Sequence, residues 1–256
     1  MTTNNSIKEI KNLYDKRISA SKDSIKAAGQ WGSKDDVPLI CNEIIKKFSI
    51  SKNDNVIELG CGSGVLGNWI NERCKSYIGI DLSKKMLEAF KKDSNTKKIP
   101  EFIQGLTNFI PFCDDTFDVA IINGVTMYLH DEKILKNTLD EMKRIVKPKG
   151  TIFIGENIIP SGYAWELSWF QKLSPNIQNL AKFYVNFRKR IAQKNPKLAG
   201  KWKVIHKDIS PEFIQNYFQT IGKVTQSKSA ARTIKEQKLG SKYRGNRRVD
   251  FVIKLE

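Results

Sequence analysis

An acid closes a short apolar run in Val56-Ile57-Glu58-Leu59-Gly60-Cys61-Gly62-Ser63-Gly64, and glycine then occupies every second position. The run reads as a strand. The glycines read as a loop that turns tightly, at φ values other residues resist, and that keeps side chains from standing between its backbone and a ligand. Loops of this kind commonly hold anionic phosphates, helped by the N-terminus of the following helix. A carboxylate at Glu58 opposes a phosphate and favours a ligand with positive charge close to the loop. Gly62-Ser63-Gly64-Val65-Leu66-Gly67 also matches the GxGxxG dinucleotide fingerprint literally, with Asp81 at a fitting distance along the chain for a ribose contact. In that fingerprint the first glycine closes the strand. Here Gly60 closes it, and counting from Gly60 puts Val65 where the third glycine belongs.

The elements that must position this loop alternate. Residues 7–28 form a polar helical lead-in with Ile10, Leu13, Tyr14 and Ile18 on one face, and Val37 to Phe48 is an amphipathic helix with Pro38 at a tolerated early position. Strand Val56 to Leu59 precedes a helix from Gly64 to Arg73, and strand Tyr77 to Ile80 ends in Asp81. Ser83 can cap a helix over Lys84 to Lys92. Short strand Phe102-Ile103, buried strand Phe117 to Ile122, helix Ile134 to Val146, a stop at Lys147-Pro148-Lys149-Gly150 and strand Thr151 to Gly155 complete the series. Strands alternating with helices over short loops predict an α/β fold whose parallel sheet is covered on both faces.

Residues 157–206 break that rhythm. Trp165, Trp169 and Leu173 share one helical face, and Leu180, Phe183, Tyr184, Phe187 and Ile191 share another, which predicts two inserted helices after the fifth strand. Most of these aromatics are expected to pack the insertion onto the core. A helix at Phe213 to Phe218 resumes the core pattern, and strands at Lys223 to Lys228 and Arg248 to Leu255 bracket a basic loop.

The chain has 256 residues, enough to bury a full core in one large domain. Its longest apolar runs are far too short to span a bilayer, the first residues lack the apolar core of a signal peptide, and Cys41, Cys61, Cys74 and Cys113 show neither zinc spacing nor a disulfide framework. A reduced, cytoplasmic protein without a structural metal is expected. The formal net charge of +17 raises the question of nucleic acid, but nine of the 44 basic residues are arginine, the residue suited to bidentate phosphate and base recognition. The lysines are spread along the chain, as on a solvated surface.

With the acid, the glycine loop, Asp81 and Phe117-Asp118-Val119 in place, the chain resembles a class I S-adenosylmethionine (SAM)-dependent methyltransferase of the small-molecule type. The likeness is strong over residues 37–156 and one of layout over 207–256. It implies a Rossmann-like, doubly wound, mostly parallel seven-stranded sheet with an antiparallel last strand, N-terminal helices and a helical insertion after the fifth strand. Residues 1–50 would form a helical flap, 51–156 the SAM-binding core, 157–206 a substrate lid, and 207–256 the remainder of the core sheet. Glu58, Gly60, Cys61, Gly62 and Gly64 match the motif that holds the methionine part of SAM, whose ammonium and sulfonium suit an acid. Asp81 matches the acid that takes both ribose hydroxyls, since a carboxylate accepts two O–H donors at once. Leu82 and Met86 match positions beside the adenine. Leu106 departs from the family, where an acid often accepts from the adenine amino group, and leaves that contact to backbone, Thr107 or Asn108. Asn123 to His130 matches the loop that faces the methyl group, and Tyr14, Gln30 and Trp31 fall where related enzymes have a flap over the cofactor.

The reaction implied is in-line displacement on the methyl carbon, probed by a small polar or anionic acceptor, with oxygen favoured as the acceptor atom. His130 is the leading candidate for a base and Tyr128 for orienting an acceptor; His206 is a weaker candidate. Arg232, Arg244, Arg247 and Arg248, or Arg188-Lys189-Arg190, could hold an anionic group. An RNA methyltransferase and a catalytically silent methyltransferase-like binding protein are the alternatives.

Overall fold

The computed structural model describes residues 3–21, 23–28, 33–94, 96–129, 131–158, 174, 176, 210–239 and 248–256. One sheet organises them: β1 (Asn55–Leu59), β2 (Ser76–Asp81), β3 (Glu101–Gln104), β4 (Phe117–Asn123), β5 (Val146–Ile158), β6 (Gly222–Lys228) and β7 (Arg248–Leu255). Its order is β3-β2-β1-β4-β5-β7-β6. β1 to β5 pair in parallel, and β7 runs antiparallel to both of its neighbours. The predicted doubly wound sheet with its antiparallel last strand is therefore present. Strand order reverses between β1 and β4, the place where open α/β sheets form a ligand crevice.

Period-two alternation explains how both faces are covered. Val56, Val119, Ile121 and Phe153 point to one face, packed by α3 (Val37–Lys47), α4 (Val65–Asn71), α5 (Lys84–Asp93) and α8 (Ala230–Leu239). Ile57, Leu59, Ala120, Ile122 and Ile154 point to the other, packed by α6 (Glu132–Ile145) and α7 (Pro211–Phe218). Helix starts follow local chemistry. Ser83 accepts from the Met86 N–H at the start of α5, Asp131 accepts from Lys133 at α6, and Ser210 accepts from Phe213 at α7, where Pro211 sits in the first turn.

Three details differ from expectation. The N-terminal lead-in is two helices, α1 (Thr3–Ala20) and α2 (Ser24–Ala28), because the Asp23 side chain accepts from the Ile25 N–H and opens a new helix. The stop at 147–150 lies inside the span of β5: Phe117 pairs with Val146 and Val119 with Thr151, so these four residues bulge out of the ladder, with Lys149 at φ +64°. The region between the last two strands is not wholly a basic loop, since α8 occupies Ala230–Leu239, and Ala230, Ala231 and Ile234 bury against the α3 side of the core. The predicted insertion helices, with Trp165, Trp169 and the aromatics that follow, lie outside the described residues.

Gly67, inside α4, shows how tightly this layer is packed. A Cβ there would lie 2.3 Å from the Tyr77 hydroxyl oxygen and 2.8 Å from the Phe90 ring. Alanine is favoured over glycine in a helix by about 1 kcal/mol, but overpacking a core costs about 1–3 kcal/mol, and here it also displaces a buried hydroxyl. Gly67→Ala is expected to lower the thermal midpoint, at roughly 2–4 °C per kcal/mol for a chain of this size. An unchanged or raised midpoint in a calorimetric scan would show that Tyr77 has room to move.

Candidate functional site

A cavity of about 450 Å³ opens over the carboxyl ends of β1, β2, β3 and β4, a volume in the range of small-ligand sites. β1 delivers Glu58 and, beyond it, Gly60, Cys61 and Gly62; β2 delivers Asp81, Leu82 and Ser83; β3 leads to Leu106, Thr107 and Asn108; β4 leads to Asn123, Gly124 and Val125. The 3₁₀ turn Thr126–Tyr128 adds Tyr128, and α1 crosses the opening with Ile7, Ile10, Lys11 and Tyr14 on one face.

The glycine loop is fixed by its own backbone. The N–H groups of Gly60 and Cys61 donate to the Ile80 carbonyl at 2.6 and 3.0 Å, which locks the end of β1 to β2. Gly60 has φ +74°, and a Cβ on it would lie 2.3 Å from a Val125 methyl. Asp81 completes the loop: one carboxylate oxygen accepts from the Gly62 N–H and the other from the Ser83 N–H, both at 2.8 Å. With the Leu82 N–H as a third donor, the carboxylate still retains acceptor capacity for an external donor.

Glu58 is 3% exposed, and its Oε2 accepts from the Tyr77 hydroxyl at 2.6 Å. Burial, with a smaller contribution from the negative charge of Asp81, pushes its carboxyl up to about 8 against the opposing effect of the Tyr77 hydrogen bond. Asp81 is also raised by burial, with the Ser83 and Gly62 N–H groups pulling the other way. Burial thus disfavours the ionised form of two acids that face one cavity, and a cation placed there would favour it.

α1 is tied down at several points. Asp15 accepts from the Ser83 hydroxyl at 2.5 Å and pairs with Lys11 at 2.6 Å, while Lys85 donates to the Ser19 hydroxyl. The Tyr14 and Tyr128 rings meet edge to face with centroids 5.6 Å apart, and their hydroxyls share a hydrogen bond. Burial raises the Tyr14 phenol, and the nearby Tyr128 adds to it.

Glu58, Gly60, Cys61, Gly62, Asp81, Leu82, Met86, Leu106, Thr107, Asn123 and Tyr128 all line the cavity. Gly64 does not: it is the left-handed residue before α4, and a Cβ on it would strike the Phe90 ring. Trp31 and His130 lie outside the described residues, as do Gln30, His206, Arg188, Lys189, Arg190, Arg244 and Arg247. Arg232 pairs with Glu236 at 2.6 Å and Arg248 with Glu156 at 2.9 Å, and neither lines the cavity. Sequence reasoning missed Ile7, Lys11, Ser83 and Asp131 as lining residues. For Ile7 and Lys11 a signal existed, since they fall three residues before Ile10 and Tyr14, respectively, on the α1 face.

The sheet order, the acid–glycine loop at the end of β1 and the second acid at the end of β2 are the features in which the chain is similar to class I SAM-dependent methyltransferases. Consistent with this, residues 57–154 match the methyltransferase domain family. An uncharacterized methyltransferase of Schizosaccharomyces pombe is 28% identical over 134 residues, covering 49% of this chain and 50% of that one. The demethylmenaquinone methyltransferase of Lactobacillus johnsonii is 29% identical over 147 residues, covering 54% and 59%. The chain thus spans about half the length of the curated relatives it matches. In fold it is similar to the N-methyltransferase NodS of Bradyrhizobium japonicum, solved with S-adenosylhomocysteine, at a TM-score of 0.60 and 11% identity over 96% of this chain and 97% of that one.

Glu58 gives a pH test. An exposed glutamate titrates near 4.5 and the folded carboxyl near 8. Between those values the free folded protein holds a proton that the unfolded chain has released, so this contribution to stability is complete below the lower value and is lost as pH rises through the upper one. Glu58→Gln, which cannot ionise, is expected to flatten that decline by on the order of 4 kcal/mol between pH 5 and 8.5. Urea denaturation of the ligand-free protein across that range checks it. Parallel curves for parent and variant would mean that Glu58 stays ionised.

Proposed function

We propose that this chain binds SAM in the β1–β4 crevice and transfers its methyl group to a small-molecule acceptor. The observation that carries this reading is a buried, undercompensated acid at a glycine loop, sharing one cavity with a second acid whose oxygens retain acceptor capacity. When bound, SAM supplies a methyl group activated by a sulfonium leaving group.

Glu58 would take the ammonium of the methionine part, with the Gly60–Gly62 backbone alongside. Asp81 would accept from the ribose hydroxyls while holding the loop closed. Leu82, Met86 and Leu106 form apolar walls suited to a purine. The Thr138 hydroxyl donates to the Ile134 carbonyl, so the Thr107 hydroxyl donates to Thr138 and keeps its lone pairs for an adenine amino group. This offers a substitute for the acid that Leu106 replaces, at a net cost of about 0.5–1.5 kcal/mol for one hydrogen bond lost elsewhere. α1 would exclude water, which matters for a displacement governed by positioning.

Asn123 and Tyr128 would face the transferred methyl group, with Tyr128 orienting the acceptor. His130 and Trp31 belong to this reading as the base and a flap residue. A polar or anionic metabolite methylated at oxygen fits the Tyr128 hydroxyl and the Lys11 ammonium at the cavity. Residues 157–206, leaving the carboxyl end of β5, would cover the acceptor.

Binding separates the alternatives. S-adenosylhomocysteine is expected to raise the thermal midpoint of the parent chain, and Asp81→Asn to weaken its affinity about 10- to 100-fold in calorimetric titration, as for loss of hydrogen bonds to a charged group. Parent affinity retained in Asp81→Asn would remove the ribose assignment. No stabilisation of the parent would leave the silent binding protein. Steeply salt-dependent binding of RNA alongside cofactor binding would point to a nucleic-acid acceptor instead.

A further inference from the structure

β5 ends in a strained bulge that the cofactor side of the site does not explain. Ile154 pairs with Phe251 and Asn157 with Val249, so Gly155 and Glu156 together oppose Asp250. Glu156, which is not a glycine, sits at φ +57°. A bulge re-aims the chain beyond it, and a left-handed side-chain-bearing residue persists only where its surroundings hold it. Those surroundings are explicit. Asp250 accepts from the Glu156 N–H at 2.8 Å, from the first N–H of α8 at 3.0 Å and from the Lys47 ammonium at 2.8 Å. The Glu156 carboxylate in turn accepts from Ala231 N–H and from Arg248.

What the bulge presents is Asn157, fully buried with its amide committed on three sides. Its Nδ2 donates to the Ile154 carbonyl at 2.8 Å and to the Val249 carbonyl at 3.3 Å, spanning the bulge and β7. Its Oδ1 accepts from the buried Thr126 hydroxyl at 2.6 Å. Thr126 opens the 3₁₀ turn that places Tyr128 at the cavity, and that turn is closed by the Tyr128 N–H donating to the Val125 carbonyl at 2.8 Å. A three-residue turn has little rigidity of its own, so its angle to the cavity is set by what anchors its first residue.

We propose that Asn157 is a positioning residue: through Thr126 it fixes the turn that aims Tyr128 into the cavity, and the Glu156 bulge exists to place Asn157 under that turn. An unbulged β5 would put the side chain of residue 157 on the other face of the sheet, because a one-residue slip reverses every side chain. The assignment of Tyr128 to the acceptor side rests on the methyltransferase reading; the anchoring of Tyr128 does not.

The test uses full-length protein containing 3-fluorotyrosine, with the Tyr128 fluorine resonance identified by its disappearance in Tyr128→Phe. Thr126→Val keeps the shape and removes the hydroxyl, and Thr126→Ser keeps the hydroxyl. In Thr126→Val the Tyr128 resonance is expected to leave its parent position or broaden at temperatures well below unfolding, and in Thr126→Ser to return. Affinity for S-adenosylhomocysteine should stay within about threefold of the parent in both, since Glu58 and Asp81 are untouched. If Thr126→Val does not fold, Thr126→Ala reads the same resonance. A lower thermal midpoint with the Tyr128 resonance unmoved would overturn the proposal and leave Thr126 a packing residue. Failure of the parent to bind S-adenosylhomocysteine would remove the functional reading, while the resonance of the free protein would still decide the anchoring.

Discussion

The Tyr77 hydroxyl and the Glu58 carboxyl meet inside the α4 layer, and the surrounding packing is arranged around that contact. Tyr77 reaches Glu58 by passing over Gly67, where a Cβ would stand 2.3 Å from its oxygen. Its ring packs edge-on to Phe90, and Phe90 lies against Gly64. Cys61 in turn lies against Gly79, next to the backbone bonds that lock the loop to β2. The GxGxxG spacing of residues 62–67 therefore has a cause unrelated to a dinucleotide: Gly64 and Gly67 make room for Phe90 and Tyr77. Glu58 also acts differently from the repelling anion that its type suggests. Burial lets the carboxyl hold its proton near neutral pH, so in the free protein it is not a standing negative charge.

Charge is distributed in two patterns of opposite sense. The whole chain carries +17, yet the described cavity collects Glu58, Asp81 and Asp131 against Lys11, itself paired with Asp15. A cationic ligand is repelled by the protein as a whole. At physiological ionic strength, however, interactions between exposed charges fade beyond about 8 Å, whereas the buried acids are screened far less. Arg232 and Arg248, two of the arginines that suggested an anion clamp, are committed to Glu236 and Glu156.

Strands with alternating burial and a glycine loop between a strand and a helix are sequence-local, which is why β1, β2, β4 and the loop residues that line the cavity could be read directly. Ser83 was legible as a cap, but its second bond, to Asp15 some 68 positions away, was not, because nothing local links α1 to α5. α8 was hidden for a different reason. Its sequence Ala-Ala-Arg-Thr-Ile-Lys-Glu-Gln-Lys-Leu is polar and short of apolar period, and its helix is secured by tertiary means, with the Asp250 and Glu156 carboxylates accepting its first N–H groups. The continuation of β5 past Gly155 was equally opaque, since the bulge depends on Asp250, 94 positions away.

The two halves of the site differ in how they are made. The cofactor side is held by backbone bonds within one or two loops, so it is specified by a handful of adjacent residues and can recur in chains that share little else. The wall at Tyr128 is held through the side chains of Thr126 in the 3₁₀ turn and Asn157 in β5 and the Val249 carbonyl of β7, with the Thr126–Asn157 and Asn157–Val249 bonds joining positions 31 and 92 apart. Such a wall can be re-aimed by changing one buried polar residue or the bulge beneath it without disturbing Glu58 or Asp81. Under the proposed reading, specificity for an acceptor would change while binding of the methyl donor is conserved, through the separation between a backbone-closed loop and a side-chain-anchored turn.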